Sequence, residues 1–202
     1  MAHCQSSNTH FRAASTRTSR KTESRRIHAV LPLLAANLMA VEAPRPDSKL
    51  NLECPNGVLQ QLDGLYRWQV QRMDQADGPS PALASQRDRF TPGLFTLLLE
   101  ASQLSLTEHG RYLDFDVFSN TQVRTFGAMV SGCSAVNGSS IQAAVDVQAG
   151  LRQQASAAPS RQLIYNLKLN CKGQWQINEI TYRNERVFQL RPYLEALVNP
   201  TP

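Results

Sequence analysis

The spacing of apolar residues changes at Gly110 in this 202-residue chain. Before Gly110 the apolar residues recur every three or four positions, which is the period of a helix with one buried face. After it, apolar and polar residues alternate through residues 141–152 and again through 163–171, as in half-buried strands. Helices followed by an antiparallel meander predict an α+β domain.

Two helices are predicted before the strands and one after them. The first follows Pro55-Asn56-Gly57 and runs to about Asp74. The second begins at Thr91-Pro92, where threonine supplies an N-cap oxygen and proline suits the first helical position, and it ends near Ser102. A short closing helix is predicted over residues 190–198.

Turn signals and apolar parity describe the sheet. Asn137-Gly138 suits a two-residue hairpin turn because both residues tolerate positive φ, and Lys172-Gly173 predicts a second tight turn. In the last strand, residues 174–182, the apolar positions change parity, which predicts either a bulge at Asn178-Glu179 or burial of both faces. A curled meander wrapped over the first helix buries both apolar surfaces.

The formal charge of +5 belongs to the first part of the chain. Residues 1–26 hold six Lys/Arg and a single acid, Glu23, which accounts for the whole excess. The other residues hold 15 Lys/Arg and 15 Asp/Glu. Nucleic acid is therefore not an expected partner, since its recognition requires a basic patch on the folded domain.

The basic segment precedes a short apolar one, residues 29–41, and the two resemble a signal peptide. The apolar segment is shorter than the roughly 20 residues that span a bilayer, so we expect no membrane span in the mature form. Arg25-Arg26 resembles a twin-arginine export signal, and Ala40 is the favoured cleavage site. We expect a periplasmic or lumenal protein, with an organellar transit peptide or a cytoplasmic tail as alternatives. The predicted parts are a leader (1–43), a linker (44–56), one domain (57–198) and a tail (199–202).

Three segments resemble one bacterial family, domain of unknown function 3828. They are Leu113-Asp-Phe-Asp-Val-Phe-Ser-Asn-Thr-Gln122, Leu65-Tyr-Arg-Trp68 and Gly173-Gln-Trp-Gln-Ile-Asn-Glu-Ile-Thr-Tyr182. The resemblance covers roughly residues 58–197, although Val117 stands where the family has proline. It implies an exported or envelope-attached protein with a cystatin-like or nuclear-transport-factor-2-like α+β roll. The family has no established catalytic residues, so the resemblance assigns none here.

Two carboxylates and six aromatic residues are the candidate site residues. Asp114 and Asp116 either cap backbone amides of a turn or lie at the mouth of the roll, where an apolar setting would raise a carboxylate pKa and create a base. The aromatic candidates either fill the core or line a ligand pocket. They are Tyr66, Trp68, Phe115, Phe118, Trp175 and Tyr182.

The remaining ligand-forming side chains are few. Past the leader, His109 is the single histidine, so a histidine-based catalytic site is not favoured. Cys54, Cys133 and Cys171 allow three disulfide pairings. With a turn at Asn137-Gly138, Cys133 would lie opposite Gln142, and Cys171 would lie about 10 Å from Cys133, too far for a bridge within the ladder. The cysteine spacing does not fit a zinc site, and no metal or cofactor is expected.

These features predict an exported envelope domain that binds a small apolar or amphipathic ligand or another envelope protein. One alternative is a small isomerase-like or cyclase-like enzyme that uses Asp114 or Asp116 as its base. The other is an immunity or inhibitor-type protein that acts through its surface.

Overall fold

The computed structural model describes residues 53–75, 82–151, 160–184 and 186–200. The leader with Arg25-Arg26 and Ala40, and most of the predicted linker, lie outside the described residues. The chain is α+β, as the change of apolar period predicts. In chain order its elements are α1 (Asn56–Asp74), a 3₁₀ helix (Leu83–Arg89), α2 (Pro92–Ser102), α3 (Leu106–His109), β1 (Arg124–Asn137), β2 (Ser140–Gly150), β3 (Arg161–Leu169), β4 (Trp175–Tyr182), β5 (Phe188–Gln189) and α4 (Leu190–Val198).

The helices α1, α2 and α4 lie where the sequence predicts helices. Helix α1 buries one face, which includes Val58, Leu62 and Leu65. The predicted N-cap bond of α2 is wrong, because the Thr91 side chain makes no cap hydrogen bond. Its hydroxyl instead contacts the Asn178 side chain at 3.4 Å and accepts a hydrogen bond from Arg191 at 3.3 Å. These contacts tie the start of α2 to β4 and α4.

The five strands form one antiparallel sheet in the order β1-β2-β3-β4-β5. Helix α1 packs against β1 and β4, and α4 packs against α2 and β4. Alternation overestimates two strands, since β2 ends at Gly150 and β3 at Leu169. Leu151 is exposed, Cys171 lies in the turn after β3, and Arg152 is outside the described residues.

The predicted bulge in β4 is confirmed. The pairing with β3 advances from Glu179 to Ile177, which leaves Asn178 as the extra residue. The bulge re-aims the strand so that Ile177 and Ile180 are both fully buried. The predicted turn before β4 is also present, with Gly173 at φ 74°.

The hairpin turn between β1 and β2 lies one residue later than predicted, at Gly138-Ser139. Neither Asn137 nor Gly138 has positive φ. The Asn137 side-chain oxygen accepts a hydrogen bond from the Ser139 amide at 3.0 Å, so asparagine acts here through its side chain. Together with an irregularity of the register between Ala135 and Asn137, the shift places Cys133 opposite Ala143, and not opposite Gln142.

A disulfide joins Cys54 to Cys133, with 5.2 Å between their Cα atoms. It is one of the three pairings that the sequence left open. Because Cys54 directly precedes α1 and Cys133 is a buried residue of β1, the bond fixes the start of the helix to the sheet. Cys171 is a free, exposed thiol.

Candidate functional site

Three of the six aromatic candidates line one cavity, which we call the Trp68 cavity. They are Trp68 from α1, and Phe115 and Phe118 from the loop that leads to β1. The cavity has a volume of about 580 Å³. Its other lining residues are Arg72, Ala82, Leu83, Leu98, Ala101, Ser102, Leu104, Tyr112, Leu113, Asp116 and Val117.

Tyr66, Tyr182 and Trp175 do not line the Trp68 cavity. The Tyr66 hydroxyl donates to the Phe118 carbonyl and shares a hydrogen bond with the Tyr165 hydroxyl, each at 2.9 Å. The Tyr182 hydroxyl donates to the carbonyl of Val117 at 2.9 Å. Tyr66 instead borders a smaller cavity of about 340 Å³ between α1 and the first two strands. Trp175 is half-buried beside Gly57, at the other end of α1.

The buried tyrosine hydroxyls anchor the loop that carries Phe118. Burial raises the pKa of Tyr66, Tyr165 and Tyr182 well above the ordinary value for a phenol. The three hydroxyls therefore stay protonated at neutral pH. Two of them keep the main-chain carbonyls of the loop paired inside the core, where an unpaired carbonyl would be costly.

The Asp116 side chain stabilises the same loop by hydrogen bonds to residues within it. Its Oδ1 accepts hydrogen bonds from the Phe118 amide at 2.9 Å and from the Ser119 hydroxyl at 3.1 Å, and its Oδ2 forms an ion pair with Arg72. These are the bonds of the capping interpretation. Asp114 is exposed, and its main-chain carbonyl accepts a hydrogen bond from the Gln122 side chain at 2.8 Å.

Arg72 is a charged residue of the cavity that was not a candidate from the sequence. Its Nε and Nη2 donate to the Gln69 side-chain oxygen at 3.2 and 2.8 Å, and Nη2 also contacts Asp116. Its guanidinium lies 5.2 Å from the Trp68 ring centre, within cation–π range. Spacing alone could have placed Arg72 with Trp68, since residues four apart share a helix face. The Arg72–Asp116 pair leaves the cavity with compensating charges.

The indole nitrogen of Trp68 is a buried donor without a partner among the described residues. The side chain is 7% exposed, and its ring meets Phe118 edge-on with 5.8 Å between ring centres. A buried N–H without an acceptor is unfavourable and uncommon in folded proteins.

The described residues contain no group of three or more His, Cys, Asp or Glu side chains that could hold a metal ion. Among them, no helix is long and apolar enough to cross a membrane. No family model, curated protein or solved structure matches this chain.

Proposed function

We propose that this protein is an exported domain that binds a small, uncharged apolar ligand in the Trp68 cavity. The observation that carries the proposal is the cavity itself, with a volume of about 580 Å³ and mainly apolar walls. Small-molecule sites are typically concavities of about 300–1,000 Å³ with apolar linings and a few polar groups. The cystatin-like or nuclear-transport-factor-2-like roll implied by the family resemblance would place such a site beside the long helix.

The charges of the cavity favour a neutral occupant. Arg72 and Asp116 already compensate each other, and a charged ligand buried beside them would lose its hydration without gaining a free counter-charge. Aromatic and aliphatic walls suit an apolar body. Leu98, Leu113 and Phe118 provide such walls here.

The contacts of Asp116 favour binding over catalysis. A general base needs a carboxylate oxygen within reach of the substrate proton. Both carboxylate oxygens of Asp116 already have partners, in Arg72, Phe118 and Ser119. The exposed Asp114 does not line the cavity.

An uncharged naphthalene dye, N-phenylnaphthylamine, tests the binding site. We expect it to bind with enhanced emission and to bind at least about tenfold more weakly to Ser102→Phe, because Ser102 is an exposed lining residue and a phenyl ring there takes up part of the cavity. Thr96→Phe is the matched control, since Thr96 is also exposed on α2 but does not line the cavity. The chain has two tryptophans, so in a Trp175→Phe variant all tryptophan emission comes from Trp68. Dye bound in the cavity that Trp68 lines should quench this emission.

Two results would contradict the binding site. One is the absence of dye binding by the wild-type protein up to the solubility limit of the dye. The other is equal binding by the Ser102→Phe and wild-type proteins, since the dye would then lie elsewhere. Circular dichroism of each variant checks that the fold is retained.

Export is supported by the leader and by the disulfide. Disulfides persist mainly in oxidising compartments such as the periplasm, and Cys54–Cys133 joins two distant parts of the chain. N-terminal sequencing of the protein recovered from cells is expected to begin at Val41, the residue after the favoured cleavage site. Recovery of a chain that begins at Met1 from the cytosol would contradict export.

A further inference from the structure

Another concavity shares Phe115 with the Trp68 cavity, and we call it the Phe188 groove. It has a volume of about 910 Å³ and runs between the loop before β1 and the segment from Arg186 to Tyr193. Phe115 lines both the groove and the Trp68 cavity. The groove is therefore a neighbouring site, and its chemistry differs from that of the cavity.

One wall of the groove is an aromatic cluster with fixed packing. Phe188 stacks on the buried Tyr182 with 4.4 Å between ring centres. Phe115 meets Phe188 and Tyr193 edge-on, with ring centres 6.0 and 5.4 Å apart. Next to this wall, the apolar side chain of Val187 is 75% exposed. Rigid aromatic surface beside an uncovered aliphatic side chain suits the apolar body of a ligand, because little conformational freedom is lost on binding.

The described residues that line the groove carry a net positive charge. Arg161 and Arg186 line the groove, and no acidic residue is among the described residues that do so. The Nη1 of Arg161 donates to the Asn120 carbonyl at 2.9 Å, which holds the guanidinium in place. Asp114, which does not line the groove, contributes to raising the pKa of Tyr193. Asp114 is exposed, so solvent screens its effect.

We propose that the Phe188 groove binds a small amphipathic monoanion, a carboxylate or sulfonate that carries an apolar body. The apolar body lies against Phe188 and Tyr193, and the anionic group accepts hydrogen bonds from Arg161 and Arg186. Arginine suits this role because its planar fork of N–H groups matches a carboxylate. This site is distinct from the Trp68 cavity, where the arginine is already paired with Asp116.

A pair of matched dyes tests the charge requirement. Anilinonaphthalene sulfonate carries an anionic group that N-phenylnaphthylamine lacks, and the two molecules are otherwise alike. We expect Arg161→Gln/Arg186→Gln to weaken binding of the sulfonate dye by about tenfold or more, because two charge-assisted hydrogen bonds are lost. Binding of the uncharged dye is expected to stay unchanged.

The matched control is Arg67→Gln/Arg87→Gln, which removes the same charge from two exposed positions outside the groove. Octanoate is expected to displace the sulfonate dye from the wild-type protein, and octanol is not. Loss of the Arg161–Asn120 hydrogen bond in the double variant could disturb folding. The single variant Arg186→Gln avoids this, because it alters only an exposed side chain.

Three outcomes would overturn the groove proposal. They are the absence of sulfonate dye binding, equal binding by the groove variants and the wild-type protein, and an equal loss in the control variant. The Ser102→Phe variant separates this proposal from the previous one, since it should lose the uncharged dye and keep the anionic one. Loss of both dyes from Ser102→Phe would place them in a single site and contradict the groove.

Discussion

Replacing Cys54 and Cys133 by alanine is expected to lower the free energy of unfolding by about 4 kcal/mol. The disulfide joins residues that are 79 positions apart, so its loss frees a long loop in the unfolded chain. The entropy that a cross-link removes from the unfolded state grows with loop length. For a domain of this size the change corresponds to a fall in melting temperature on the order of 10 °C.

Urea unfolding and thermal melts measure this effect, and the third cysteine of the domain provides the control. Cys171 is free and exposed, so Cys171→Ala should leave stability unchanged. A reducing agent should lower the stability of the wild-type domain as far as the double substitution does. Titration of denatured protein that lacks the leader should find one free thiol, and a count of three would show that the bond does not form.

The elements of the fold were predictable where local patterns decide them. The apolar spacing predicted α1, which buries a single stripe, and Thr91-Pro92 predicted the start of α2. The change of parity in β4 predicted either a bulge or burial of both faces, and the chain has the bulge, at Asn178. Both inferences use residues that are neighbours in the chain.

Features that depend on distant residues were not predictable. The disulfide partner of Cys54 follows from the packing of α1 on β1, which no local pattern specifies. The hairpin turn differed because Asn137 can either adopt positive φ or accept a hydrogen bond with its side chain, and the chain uses the second. The apolar alternation of β2, the strand that follows the turn, does not distinguish these two turn conformations.

The candidate site divides in the same way. The sequence predicted Asp116 as a possible capping residue of its own loop. Its ion-pair partner Arg72 lies on another element, α1, and was not predictable. Tyr66 and Tyr182 belong to the core because their hydroxyls reach carbonyls 52 and 65 positions away in the sequence. Sequence spacing identified these residues as aromatic and inward-facing, but their hydrogen-bond acceptors are set by tertiary structure.

Asp116→Ala is expected to lower the free energy of unfolding by about 3 kcal/mol. The substitution removes the acceptor of the Phe118 amide and of the fully buried Ser119, and it leaves Arg72 without its anion. Since the Arg72 side chain is 32% exposed, water offsets part of the loss. Asp116→Asn keeps a side-chain oxygen for the turn and should cost only about 1 kcal/mol. Asp114→Ala, at an exposed position two residues earlier, should have no measurable effect.

A double-mutant cycle with Arg72→Met separates the ion pair from the turn. If Asp116 acts mainly as a partner of Arg72, the double variant should lose less stability than the two single variants together, by about 1 kcal/mol or more. The part of the loss that remains belongs to the hydrogen bonds from Phe118 and Ser119. A carboxylate kept for catalysis predicts the reverse, since removing a strained or unneeded charge raises stability or leaves it unchanged. Unfolding of Asp116→Ala at or above the wild-type urea midpoint would therefore contradict the structural role and restore Asp116 as the candidate base.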